Sequence, residues 1–104
     1  MAYPSKYKDA QVEILGVPST ARQLTAGSAS SNTALTTTVQ RISMRAVGAD
    51  IRFSIGTGTQ TANGNTSNFI ANGERLDFAV PLGANIAIIR DGTVNGTLEL
   101  TELI

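Results

Sequence analysis

The chain has 104 residues and no formal net charge, with eight basic and eight acidic side chains. That length sets one domain with a thin core. The charge balance argues against nucleic acid and against a polybasic membrane contact, since both need clustered Lys and Arg. With no Cys and no His, the chain lacks disulfides, thiolate chemistry, the commonest general base and the commonest transition-metal ligand.

Residues Met1–Ala10 are polar, with Pro4, Lys6, Lys8 and two tyrosines, Tyr3 and Tyr7. They read either as an arm lying on a neighbour or as a disordered terminus. Residues 11–104 form the domain. The N-terminus has no apolar stretch of signal-peptide length and no run long enough for a membrane helix, so synthesis in a cytoplasm without export is expected. Val12, Ile14 and Leu15 predict a first strand, ended by Gly16 and Pro18. Ala21–Leu24 predicts a short second strand, and Ala26–Asn32 a loop of small polar residues.

The stretch Arg41–Ile55, RISMRAVGADIRFSI, carries the strongest signal. Ile42, Met44 and Ala46 alternate with polar neighbours, and so do Ile51, Phe53 and Ile55 beyond Gly48-Ala49-Asp50. Period two means a strand with one buried face, and two such runs around a tight turn predict a β-hairpin. Val39 has the wrong parity for the Ile42 face, which predicts a bulge near Gln40. Thr57–Ser67 is a long polar loop with Asn63-Gly64 as a turn. Phe69-Ile70, Leu76–Val80, Asn85–Ile89 and Leu98–Thr101 predict further strands, separated by Asn72-Gly73, Pro81-Leu82-Gly83 and Asp91–Gly96. No sustained 3.6-residue pattern occurs. The turn signals recur about every ten residues, the rhythm of an all-β sandwich or barrel. The expected fold is an all-β, antiparallel, jelly-roll-like sandwich with a polar N-terminal arm.

Candidate chemistry is thin. Asp91-Gly92-Thr93-Val94-Asn95-Gly96, with Glu102 beyond, nearly spells a calcium loop, but that loop needs flanking helices and here both flanks read as strands. Gly56-Thr57-Gly58-Thr59 lacks the Lys-Ser/Thr ending of a phosphate loop. Glu74 with Asp77, and Glu99 with Glu102, have opposite strand parity, so neither pair converges for acid–base hydrolysis. No cofactor, no metal and no enzymatic activity are expected. Arg41 and Arg45 share one strand face, with Arg52 on the paired strand; they form either a solvated face with local ion pairs or an interface. Arg75 and Asp77 offer a complementary pair that would fix register between copies. Tyr3, Tyr7, Phe69 and Ile70 are the candidate apolar contacts.

Taken together, RISMRAVGADIRFSIGTGT, SNFIANGERLDFAVPLGANIAIIRDG and NGTLELTELI resemble small structural proteins encoded among bacteriophage head genes. The resemblance runs from Gln40 to the C-terminus and leaves Met1–Leu35 without a counterpart. It implies a non-enzymatic capsid decoration, or cement, protein. Such a protein forms a β-sandwich homo-oligomer, a trimer by expectation, on the outer surface of the virion. There it clamps neighbouring copies of the major capsid protein. Alternatives are a neck, tail or fibre-attachment protein, or a carbohydrate-binding module using the Thr57–Ser67 loop.

Overall fold

A computed structural model describes residues 16–104, all of them strand, turn or loop. The strands are β1 (Pro18–Ala26), β2 (Ser31–Ala34), β3 (Arg41–Val47), β4 (Ile51–Thr57), β5 (Asn68–Ile70), β6 (Arg75–Ala79), β7 (Ala84–Arg90) and β8 (Gly96–Leu103). They form two four-stranded antiparallel sheets, β1-β8-β3-β6 and β2-β7-β4-β5. The expected arm, the strand at Val12–Leu15 and the tyrosines Tyr3 and Tyr7 lie outside the described residues.

The order obeys one rule. β1 pairs with β8, β2 with β7, β3 with β6 and β4 with β5. The chain is in effect a single long hairpin, its first half laid against its second, wrapped alternately into two sheets. β3:β8 and β4:β7 pairings complete each sheet. This is the jelly roll; the period-two pattern and turn spacing predict the all-β layering, and the strand order supplies the topology.

The rule also overturns the hairpin at Arg41–Ile55. β3 and β4 lie in different sheets, and Gly48-Ala49-Asp50 carries the chain across the core. Alternation shows that each run has one buried face, but it does not say which strands pair. A hairpin would place Ile42, Met44, Ile51 and Phe53 side by side on one sheet. Here the two sets face each other, and all four are core residues. The crossing is held by its neighbours: Gly48, at φ +92, donates its N–H to Asn72 Oδ1 at 2.9 Å, and Asp50 Oδ1 accepts from Asn72 N at 2.7 Å. Arg52 is therefore not on a strand paired with Arg41 and Arg45; it lies on the opposite sheet.

The core draws on both layers. β3, β8 and β1 supply Ile42, Met44, Ala46, Leu98, Leu100 and Ala26; β4, β7 and β5 supply Ile51, Phe53, Ile86, Ile88 and Ile70. Phe53 and Phe78 bridge the layers with ring centroids 5.7 Å apart, a tilted packing that suits aromatic quadrupoles. Leu35 and Val39 plug one end from the β2–β3 connection. Val39 breaks parity because it sits in a turn, its N–H bonded to Thr36 O at 3.1 Å, and not because of a bulge at Gln40.

The bulge occurs in β1, where Pro18 opposes Leu103 and Ala21 opposes Thr101, leaving Ser19 and Thr20 both against Glu102. Two further expectations shift here. β1 is one nine-residue strand that starts at Pro18, and β2 begins inside the Ala26–Asn32 segment read as loop and runs two residues past it. Proline is tolerated as a first residue on an edge strand because it has no N–H to donate there.

Candidate functional site

Among the described residues, three places gather the polar side chains that bear on function. The first is internal. Glu102 continues the inward parity of Leu98 and Leu100 on β8, and it is fully buried. Its Oε2 accepts from Arg22 Nε at 3.1 Å and from Thr36 N at 3.0 Å; Oε1 accepts from Thr36 Oγ1 at 2.6 Å. Arg22 Nη2 lies 3.1 Å from the same Oε2. The backbone carbonyl of Glu102 takes the Ser19 hydroxyl at 2.9 Å. Burial pushes this carboxyl up, but the hydrogen bonds from Thr36 and Arg22, with the Arg22 charge, outweigh it and hold the pKa below the usual carboxylate range. A saturated, ionised carboxylate is a brace and not a poised acid. It ties β1, the β2–β3 connection and β8 into one corner.

The second place is the outer face of the β2-β7-β4-β5 sheet. Arg52 Nε donates to Asp91 Oδ1 at 2.8 Å, and Nη1 donates to Ser67 O at 3.0 Å. The guanidinium carbon lies 4.8 Å from the centre of the Phe69 ring, a cation–π contact. Arg52 and Phe69 are direct partners in the β4:β5 register. The loop after β4 folds flat over the same face. Gln60 N bonds Asn32 Oδ1 at 2.8 Å, Ala62 N bonds Ser30 Oγ at 2.8 Å, and Ser54 Oγ bonds Gln60 Oε1 at 3.0 Å. Ala87, which faces outward by parity, is fully buried. Asn63 closes the loop tip by accepting from Asn65 N at 2.8 Å. The long polar segment is thus a cover for its own sheet.

We expect Arg52→Lys to cost roughly 0.5–1 kcal/mol in thermal or urea unfolding, because Lys keeps charge but loses the planar fork and the stacking. Because Lys keeps the charge, high salt should weaken the pair with Asp91 in both proteins alike and leave the difference nearly unchanged.

The third place is the outer face of β1-β8-β3-β6. Arg41, Ser43 and Arg45 of β3 stand in register with Ala79, Asp77 and Arg75 of β6 on one side. On the other they meet Leu103, Thr101 and Glu99 of β8. Arg75 Nη1 donates to Ser43 Oγ at 2.9 Å, and Gln23 Nε2 to Glu99 Oε2 at 2.9 Å. Ser43, Arg75, Asp77, Thr101 and Leu103 line a shallow depression of about 300 Å³ bordered by Gly16 and Pro18.

Of the residues singled out from sequence, Arg41, Arg45, Arg75 and Asp77 share this face, while Arg52 and Phe69 meet on the opposite one. Ile70 is fully buried in the core; whatever apolar contact it makes is internal. Asp91, the first position of the apparent calcium loop, is engaged by Arg52, and Glu102, its last, is buried in the corner with Arg22 and Thr36. The flanks are β7 and β8, as expected from their sequences. Among the described residues, no group of three acidic side chains is placed to hold a metal ion. The Glu102 corner was overlooked by motif reasoning, yet its parity with Leu98 and Leu100 was visible.

Two further hollows occur. One of about 300 Å³ lies at the loop end, among Gly48, Asp50, Asn72 and Asp91. Another of about 230 Å³ opens on the side of the sandwich, lined by Phe53, Ile55, Phe78 and Pro81. The chain matches no family model, no curated protein and no solved structure.

Proposed function

We propose that the protein is a non-enzymatic virion structural protein: a jelly-roll module that self-associates, sits on the outer surface of a bacteriophage capsid and clamps neighbouring major capsid subunits. The observation that carries this reading is how the polar groups are used. The buried carboxylate is saturated with donors, the Arg52 cluster braces a loop, and Arg41, Arg45, Arg75, Asp77 and Glu99 spread over the outer face of one sheet. Such a surface suits extended contact, where interface arginines and a sheet face supply area and register. The jelly roll supports capsid and lectin domains alike, so the fold alone names neither. The sequence resemblance from Gln40 onward favours the capsid.

Avidity supplies the affinity. An oligomer that touches several shell subunits gains strength without any single strong contact. Purified particles should therefore carry the protein in hundreds of copies, and tagged protein should co-sediment with shells that lack it. Electron microscopy and quantitative mass spectrometry check this. A dozen copies or fewer would assign it to a neck or tail position, and none would end the virion reading.

A further inference from the structure

The four sheet edges are not alike. β2, β5 and β6 are short, with four, three and five residues, and β6 carries Arg75 and Asp77. Short strands and charged side chains are the usual guards against strand addition. β1 is a nine-residue edge strand. Its single charge, Arg22, is drawn to Glu102 and does not guard the edge. The bulge at Ser19–Thr20 and Pro18 protect only its first residues.

The ladder shows what the rest of β1 presents. Val17 and Ile104 exchange both backbone bonds, each at 2.8 Å, so they form a hydrogen-bonded pair. Counting along the antiparallel register past the bulge, Arg22, Leu24 and Ala26 direct their N–H and C=O groups at β8. Ala21, Gln23 and Thr25 direct theirs away, at an edge with no strand partner among the described residues. All three residues are exposed.

The geometry points to a second copy of this chain as the occupant: β1 pairs antiparallel with its own equivalent across a twofold axis at Gln23. That register sets Gln23 against Gln23 and Ala21 against Thr25. It uses every outward peptide group in the run, giving about six backbone hydrogen bonds. Centring on Arg22 would oppose two arginines, which is unfavourable, and would leave Thr25 unpaired. Centring on Leu24 would leave Ala21 without a partner in the run. The two β1-β8-β3-β6 sheets then join into one continuous eight-stranded sheet. Such isologous pairing closes at two copies, in place of the three that the resemblance implies. The inference rests on the reading of the protein as self-associating, and not on the capsid.

The test uses the isolated full chain with no shells present. Light scattering at micromolar to submillimolar concentration should give twice the 10.8 kDa chain mass. Gln23→Lys, which leaves the β8 ladder intact and places like charges across the axis, should weaken dimerisation roughly tenfold or more at low salt. High salt should restore part of that loss. Circular dichroism should show both proteins equally folded. Gln23→Cys gives this cysteine-free chain one thiol, and a hydrogen-bonded pair holds its Cα atoms about 5.5 Å apart, within disulfide reach; oxidation should link two chains. A wild-type monomer across the range overturns the proposal, as does a Gln23→Lys protein that stays as oligomeric as wild type. A monomer that still coats shells sinks this edge alone, and a dimer that never binds shells sinks only the virion reading.

Discussion

Glu102→Ala is expected to be among the most damaging single changes, lowering unfolding free energy by about 3 kcal/mol in urea titration. It removes a carboxylate that receives bonds from Arg22 and from both the N–H and the hydroxyl of Thr36. Removing one partner of a buried pair typically costs 3–5 kcal/mol. The lower end applies here because Arg22 is partly exposed and its charge can turn to water. Glu102→Gln should cost less, about 1–2 kcal/mol, because the amide oxygen still accepts from Thr36.

The same corner makes stability pH-dependent. The Glu102 carboxyl titrates lower in the folded protein than at its ordinary value near 4.5. Its contribution is fully present above that ordinary value and is lost as pH falls through the lower, folded value. The difference in stability between wild type and Glu102→Gln should therefore be constant near neutrality and narrow below about pH 4.5. A difference that stays unchanged down to pH 2.5 would show that the carboxylate is not held ionised by Arg22 and Thr36.

The second large effect separates two residues of identical chemistry. Ile86 and Ile55 are neighbours in the β4:β7 register. Ile86 lies on a strand flanked on both sides and is fully buried. Ile55 lies beyond the reach of the three-residue β5, beside the lateral opening. Ile86→Ala should cost about 4 kcal/mol, the methylenes plus a cavity that strands on both sides keep open. Ile55→Ala should cost about 1–2 kcal/mol, since part of the side chain is already solvated. Equal losses in chemical unfolding would contradict the placement of the opening.

Most of the layering was legible in the sequence because period-two alternation reports burial directly. Ile42, Met44, Ile51, Phe53, Leu98 and Leu100 are inward as their parity demands. Pairing was not legible. A tight Gly-Ala-Asp connection serves a hairpin and a sheet-to-sheet crossing equally well. What separates them is the set of distant partners, β6 and β8 for β3, β5 and β7 for β4, and local pattern carries no record of these. The Thr57–Ser67 loop was legible as a polar, mostly exposed connection, but its seating was not, since Gln60 and Ala62 give their backbone donors to Asn32 and Ser30, which are distant in sequence. Of the candidate arginines, Arg41 and Arg45 share one face as their parity requires, while Arg52 belongs to the other layer, which parity does not reveal. Glu102 was legible in principle: a carboxylate at an inward position needs donors, and only a folded chain shows that Arg22 and Thr36 supply them.

The pairing of each strand with its mirror in the chain order has a kinetic side. The innermost pair, β4 with β5, closes the shortest loop and has the least entropy to overcome; each pair outward must bring more distant segments together. Assembly is therefore expected to proceed like a zip from the middle of the chain, slowly for its size because so many contacts are far apart in sequence. β1 docks on β8 last, and the Arg22–Glu102 link is the clasp that shuts it. A nascent chain must reach its final strand before the fold can close.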